Sequence, residues 1–470
     1  MNKKSKVVLL SAVLASELVF AGGDVNPKAE ADLTAPVFTE APYKYVKKPI
    51  TVDDGRIHGY LRAHHIFDGK DNGFDKVTGS TLGIGLGYGM EVAPGLKVGA
   101  EFYGVMDSGL TDTDEKLIAY GQFMNTIKNP NELDAGYAWG AHIRYEGEGF
   151  KAQIARSQYK SPLTDIIQIT HVPNMYEYAR LDGKVLGGNA SIGFINKMAY
   201  GSRSAADFSL IGEFTGTAGM VNPPFEGKPH SLDRGTFYNI EDTLPVGKTD
   251  SNGIIQIGYE KKKGMWNFSI WDQYIDDVAN NIFAEGTYKF PLGKGKAVKL
   301  SGHVWNQNID NSNYDAKYGG TLLGAQALLK WGKFVGKLAY ETKDDGGLLN
   351  AWGANPGYTS TIFSRNQYRS NVDAYKATLV WMPMKGLKFV AAYANYGQSD
   401  MGSKVLAPGG NPTTFFPSDD ADELDLVVVY KPRPDITLKL FNAQRTSEYN
   451  GAAGKDRTMN QTRLIMNFAF

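Results

Sequence analysis

The sequence predicts an all-β chain: a transmembrane antiparallel β-barrel of about 18 strands, with short periplasmic turns and long extracellular loops. Three observations carry that expectation. Apolar and polar residues alternate over windows of about ten residues, the length a tilted strand needs to cross a bilayer. Short and long connections alternate between these windows. Beyond residue 21 no apolar run reaches the ~18 residues of a membrane helix, while 54 glycines and an aromatic content of 12% favour strands and turns.

In chain order, residues 1–21 read as a signal peptide. Lys3, Lys4 and Lys6 precede an apolar stretch over 7–15, and Val19-Phe20-Ala21 suits cleavage after Ala21. Residues 22–55, with four prolines and no period, read as a periplasmic lead-in. The barrel is expected over 56–470, with strands starting near Arg56, Ser80, Gly95, Ala135, Phe150, Tyr176, Leu186, Gly253, Met265, Asn281, Ala297, Thr321, Phe334, Asp373, Leu387, Glu423, Asp435 and Thr458. The last window is the clearest: Leu464, Met466, Phe468 and Phe470 share one face, and Arg463, Ile465, Asn467 and Ala469 the other. The count places the apolar patch 208–211 in a long loop, and about 16 strands is the alternative.

Short turns are read at Ala93-Pro94-Gly95, Glu146-Gly147-Glu148-Gly149, Asp182-Gly183-Lys184, Lys262-Lys263-Gly264 and Pro383-Met384-Lys385-Gly386, among others. Long polar connections lie near 69–79, 108–134, 160–175, 199–250, 309–319, 344–370, 399–421 and 449–458. That asymmetry describes an outer-membrane barrel with its short turns in the periplasm.

Composition removes several function classes. Fifty basic and fifty acidic residues lack the surplus a nucleic-acid protein needs. With no cysteine there is no disulfide, thiolate metal site or lipoprotein anchor. No metalloprotease, serine-hydrolase or phosphate-loop motif occurs, so no catalytic residue, metal ligand or cofactor is assigned. His64 and His65, as neighbours on a strand, face opposite sides. Asp68, Asp71 and Asp75 fail the EF-hand spacing. Gly83, Gly85, Gly87 and Gly89 lack the helix a phosphate cradle requires, and are expected to let a folded-in loop pack on the inner wall.

The stretch 150–181, FKAQIARSQYKSPLTDIIQITHVPNMYEYARL, resembles the OprD-type family of Gram-negative outer-membrane porins: a strand, an arginine, a Ser-Pro-Leu element, a polar loop, then Pro-Asn and an aromatic-Glu pair before the next strand. The resemblance implies a substrate-selective diffusion channel, often for carboxylate-bearing nutrients, narrowed by an inward-folded third loop. Here that loop falls near 159–175, with Thr164, Asp165, Gln168 and His171 facing the solute and Pro162 and Pro173 stiffening its ends.

Face parity places Arg62, Arg144, Lys151 and Arg463 inward, joined by Arg180 and Lys197, as part of a basic track. Lysines near strand ends, such as Lys330, Lys388 and Lys439, have snorkelling to the interface as their alternative role. Parity points Arg156 at lipid, but the resemblance favours an inward turn, and Arg156 is expected to line the pore with the others. The expected function is passive diffusion of small hydrophilic solutes, anionic or carboxylate-bearing. An adhesion or structural barrel and an outer-membrane hydrolase are the alternatives. Expected partners are outer-membrane lipid, lipopolysaccharide and the solute, without nucleic acid, in a monomer or homotrimer.

Overall fold

The computed structural model describes residues 50–71, 74–110, 136–166, 171–201, 235–243, 249–312, 318–350, 352–362, 364–397, 420–448 and 457–470. The signal-peptide expectation lies outside them, as does the lead-in before residue 50. Among the described residues there are nineteen strands: β1 (Ile57–Asp71), β2 (Phe74–Ala93), β3 (Leu96–Asp107), β4 (Gly136–Gly147), β5 (Phe150–Ser157), β6 (Met175–Val185), β7 (Gly188–Ala199), β8 (Phe237–Asn239), β9 (Ile254–Lys263), β10 (Trp266–Ile275), β11 (Ala279–Gly293), β12 (Lys296–Ile309), β13 (Gly320–Trp331), β14 (Phe334–Lys343), β15 (Val372–Met384), β16 (Leu387–Tyr396), β17 (Asp420–Arg433), β18 (Ile436–Glu448) and β19 (Arg457–Ala469).

Apart from β8, each strand pairs antiparallel with the next, and β19 returns to β1 from Tyr60↔Ala469 to Lys70↔Asn460. The three-residue β8 is a spur on β7, which pairs with β9 over Asn189↔Glu260 to Ile195↔Ile254. Eighteen strands therefore close the barrel, and closure leaves no unpaired edge.

The period-2 alternation decides which side chain meets lipid. Ile143, Ile154 and Leu338 stand outward at 60%, 73% and 68% exposure. An aromatic belt near the short turns includes Tyr145, Phe150, Trp266, Trp331, Phe334, Trp381 and Phe468, and a second group, Tyr137 and Trp139 on β4 with Tyr340, Tyr375 and Tyr393 on β14–β16, stands near the other end. Two aromatic girdles around an apolar band are the profile of an outer-membrane barrel.

Two elements depart from the sequence reading. β2 begins at Phe74 rather than near Ser80, because backbone pairing with β1 continues to Asp71↔Phe74 beyond the apolar band that marks the strand in sequence. The turn expected at Asp182-Gly183-Lys184 lies inside β6, which runs on to Val185. Arg180 and Asp182 face the lumen there, bonded to each other and to Ser191 of β7. The chain instead turns at Leu186-Gly187, both at positive φ (50° and 72°), a conformation glycine accepts freely and leucine does not.

Candidate functional site: two loops seated in the lumen

The loop from β5 to β6 folds into the barrel rather than outward. Its residues Tyr159, Leu163, Thr164, His171 and Asn174 are buried, and it spans from one wall to the other. On the β1–β2 side, His171 bonds Thr81 Oγ1 at 2.7 Å, and Tyr60 Oη donates to the His171 carbonyl at 2.6 Å. The glycine run makes that seat: a Cβ on Gly83 would lie 2.1 Å from His171 Nδ1, so only hydrogen leaves room for the loop. On the β9–β10 side, Thr164 Oγ1 accepts from Gln256 Nε2 at 2.6 Å and Gln273 Nε2 at 3.1 Å.

A second loop, between β14 and β15, also folds inward, which the sequence does not announce. Trp352, Leu348, Leu349 and Asn366 are fully buried. Glu341 of β14 accepts from the Tyr358 amide and Thr359 Oγ1, Asp425 of β17 accepts from the Ile362 amide at 3.0 Å, and Tyr358 Oη donates to Glu285 of β11 at 2.6 Å. Gln307 of β12 accepts from the Leu349 amide at 2.7 Å. The two loops meet where the Asp165 amide donates to the Trp352 carbonyl at 2.9 Å and Tyr176 Oη donates to the carbonyls of both residues.

A cavity of about 870 Å³ runs between these loops and the short-turn end of the wall. Lys160, Ser161, Pro162 and Asp165 of the first loop and Asn355, Pro356 and Tyr358 of the second border it. The wall adds Lys151, Arg180, Asp182, Ser191, Glu260 and Glu285, with Trp271 and Phe283 as apolar surface. Cations and carboxylates therefore both face this space.

The sequence-predicted residues divide as follows. Arg62 and Arg463 lie on neighbouring inward faces: Arg62 Nε donates to Asn467 at 3.3 Å, and Arg463 and Lys439 both stand over the Phe441 ring, at 5.8 and 5.0 Å. Lys439 is 1% exposed on that inner wall. Lys151 and Arg180 border the cavity, and Arg180 is held by Asp182 and by the Lys160 carbonyl at 2.9 Å.

Arg144 is inward but serves a different purpose. It pairs with Asp53 and, at 2.9 Å, with Glu146, tying the segment before β1 to the wall beside Gly87 and Gly89. Arg156 does not line the lumen. Its guanidinium lies 4.8 Å from the outward Trp139 ring and pairs with Glu177, so strand parity, not the inward turn, governs it. Thr164 and His171, expected to face the solute, are instead fully buried against the wall, where their hydrogen bonds anchor the loop; Asp165 borders the cavity, and Gln168 lies outside the described residues. Asp53 and the second inward loop escaped sequence reasoning. The glycines and the single proline of 344–357 are the one available cue, and they read as an ordinary surface loop.

These features define a class: an outer-membrane β-barrel whose bore is narrowed by loops bonded to its own inner wall. No family model and no curated protein sequence matches the chain. Solved structures do. The chain superposes on OccK1 (OpdK) of Pseudomonas aeruginosa with a TM-score of 0.66 at 11% identity, covering 88% of this chain and 98% of that one. OccK9 (OpdG) of the same organism gives 0.66 at 15% identity over 88% and 98%, and OccAB3 of Acinetobacter baumannii gives 0.66 at 11% over 88% and 99%. The chain has the fold of the OprD/Occ-type outer-membrane porins.

Proposed function

We propose that the protein is a substrate-selective porin through which small hydrophilic solutes, anionic or carboxylate-bearing, diffuse passively. The observation that carries the reading is the pair of inward loops, anchored by buried hydrogen bonds to four regions of the wall and bordering a polar cavity. A barrel that served only adhesion would have no use for groups buried in its bore at such desolvation cost. Lys151 and Arg180 at the cavity form the basic track that lowers the barrier for an anion, and Arg62, Arg463 and Lys439, buried on one inner wall, add to the positive potential of the bore. The acids bordering the cavity make the selectivity partial and suit a solute that also bears a positive group. The OpdK structure determined with vanillate supports a carboxylate as the solute class.

The test is planar-bilayer recording of the refolded protein with a potassium chloride gradient. Stable channels whose reversal potential indicates chloride preference are expected. A clear potassium preference would overturn the basic track, and a barrel that passes no current would overturn the porin reading.

A further inference from the structure

Most of the outer face of the barrel is hydrocarbon, but β5, β6 and β7 carry charge on it. Arg156, Glu177 and Lys197 each lie within two residues of the extracellular end of their strand. They face one another in register, Arg156↔Glu177 and Glu177↔Lys197, where a register shift after Glu177 turns Lys197 outward against the inward expectation, and Asn239 of the β8 spur sits opposite Lys197. One carboxylate serves two cations: Arg156 Nε donates to Glu177 Oε1 at 2.8 Å, and Lys197 Nζ stands 4.0 Å from Oε2. The Arg156 guanidinium is clasped between the rings of Trp139 and Phe237, at 4.8 and 4.3 Å. That clasp fixes the plane of its donor fork while about a third of both cationic side chains stays open, at 32% and 37%. Below the cluster, Ile154, Leu181, Ile192 and Phe194 present bare hydrocarbon to the membrane. By contrast, the outward rim of β15–β17 carries Asp373 and Asp422, hydrogen-bonded by Tyr340 and Tyr393.

A net positive, pre-oriented cluster at the headgroup level, directly above an apolar wall, complements a lipid with an anionic head. We propose that Arg156, Lys197 and Asn239 form a binding site for a phosphate group of outer-leaflet lipopolysaccharide, whose acyl chains lie against Ile154, Leu181, Ile192 and Phe194. Glu177 positions the two cations without neutralising both. The site rests on the outer-membrane placement of the barrel and is independent of the solute that crosses it.

The experiment titrates the full-length protein in detergent with bisphosphorylated lipid A and with the dephosphorylated lipid, read by native mass spectrometry, for the wild type and for an Arg156→Ala, Lys197→Ala double variant. Charge-assisted hydrogen bonds of this kind correspond to an affinity loss of about tenfold or more in the variant. That loss should be confined to the phosphorylated lipid, with single-channel conductance unchanged because neither side chain faces the bore. Equal binding of the two lipids, undiminished binding by the variant, or displacement by inorganic phosphate alone would overturn the proposal. So would loss of an oligomeric mass with lipid binding intact, which would make the cluster an interface between copies of the chain.

Discussion

Replacing Gly83 by alanine should open the constriction. In a strand interior this exchange ordinarily stabilises by about 0.5–1 kcal/mol, so the opposite sign is informative. The new methyl would lie 2.1 Å from His171 Nδ1, 2.5 Å from Cγ and 2.8 Å from Cβ. Because His171 Cβ is itself in the way, rotating the ring brings no relief, and the loop must retreat by roughly an ångström or more to reach ordinary van der Waals separation. Such a retreat stretches both the Tyr60–His171 carbonyl bond of 2.6 Å and the Thr81–His171 bond of 2.7 Å out of hydrogen-bond range. Two hydrogen bonds at about 1 kcal/mol each, with an overpacking cost of about 1–3 kcal/mol, remove about 3–5 kcal/mol from the seat of the loop. The wall survives, since Gly83 keeps its backbone pairing with Arg62 and Val105. Single-channel recording should show a higher conductance, and thermal unfolding should keep the barrel's main transition. A variant with wild-type conductance would show that the loop does not depend on this glycine, and the reasoning would fail.

Three further outcomes follow from the anchors. Thr164→Val keeps the volume but leaves the Gln256 and Gln273 amides without their shared acceptor, at about 1–3 kcal/mol; noisier, larger single-channel currents are expected, and an unchanged trace would count against this anchor. Glu341→Ala strips the acceptor from the Tyr358 amide and Thr359 Oγ1, at about 1.5–3 kcal/mol per charge-assisted bond, so trypsin should cut at Arg365 and Arg369 faster than in the wild type, by gel densitometry. Burial, and secondarily the charge of Arg62, hold His171 well below the usual histidine range. The seated loop therefore keeps His171 neutral while a released loop would bind a proton. Seat stability is complete above about pH 6.5 and falls as pH drops towards the depressed value, by up to about 1.4 kcal/mol per pH unit. Conductance should rise between pH 7.5 and 5.5, with His64 facing His171 at a ring separation of 5.9 Å. Persistence of the full pH slope in His171→Gln would assign it to another group.

The sequence by itself determined the strands and their faces. Alternation is a local property with period two, so Arg62 and Arg463 could be placed inward and Ile154 outward from neighbours two residues away. The same logic pointed Arg156 outward, but the family likeness placed it in the pore, and the structure overturns that placement. The glycine run at 83–89 was legible as a place for something to pack, because a missing side chain is visible in the chain itself. What occupies that place was less so: the first inward loop was located through its likeness to a family, not through any period of its own.

The second inward loop had no such cue. Residues 359–370, rich in Ser, Thr, Asn, Gln and Arg, look solvated, yet Thr359, Thr361, Asn366, Gln367 and Arg369 are all but fully buried. Their burial depends on acceptors and donors such as Glu341, Asp425 and Gln307, carried by other strands and brought together only when the barrel closes. Arg144 became a tether for Asp53 rather than a bare inner cation for the same reason. Which side of a strand a residue occupies is written in its nearest neighbours. Whether a polar loop stays in water or enters the bore is decided by hydrogen-bond partners far away in sequence, and only the tertiary structure supplies those.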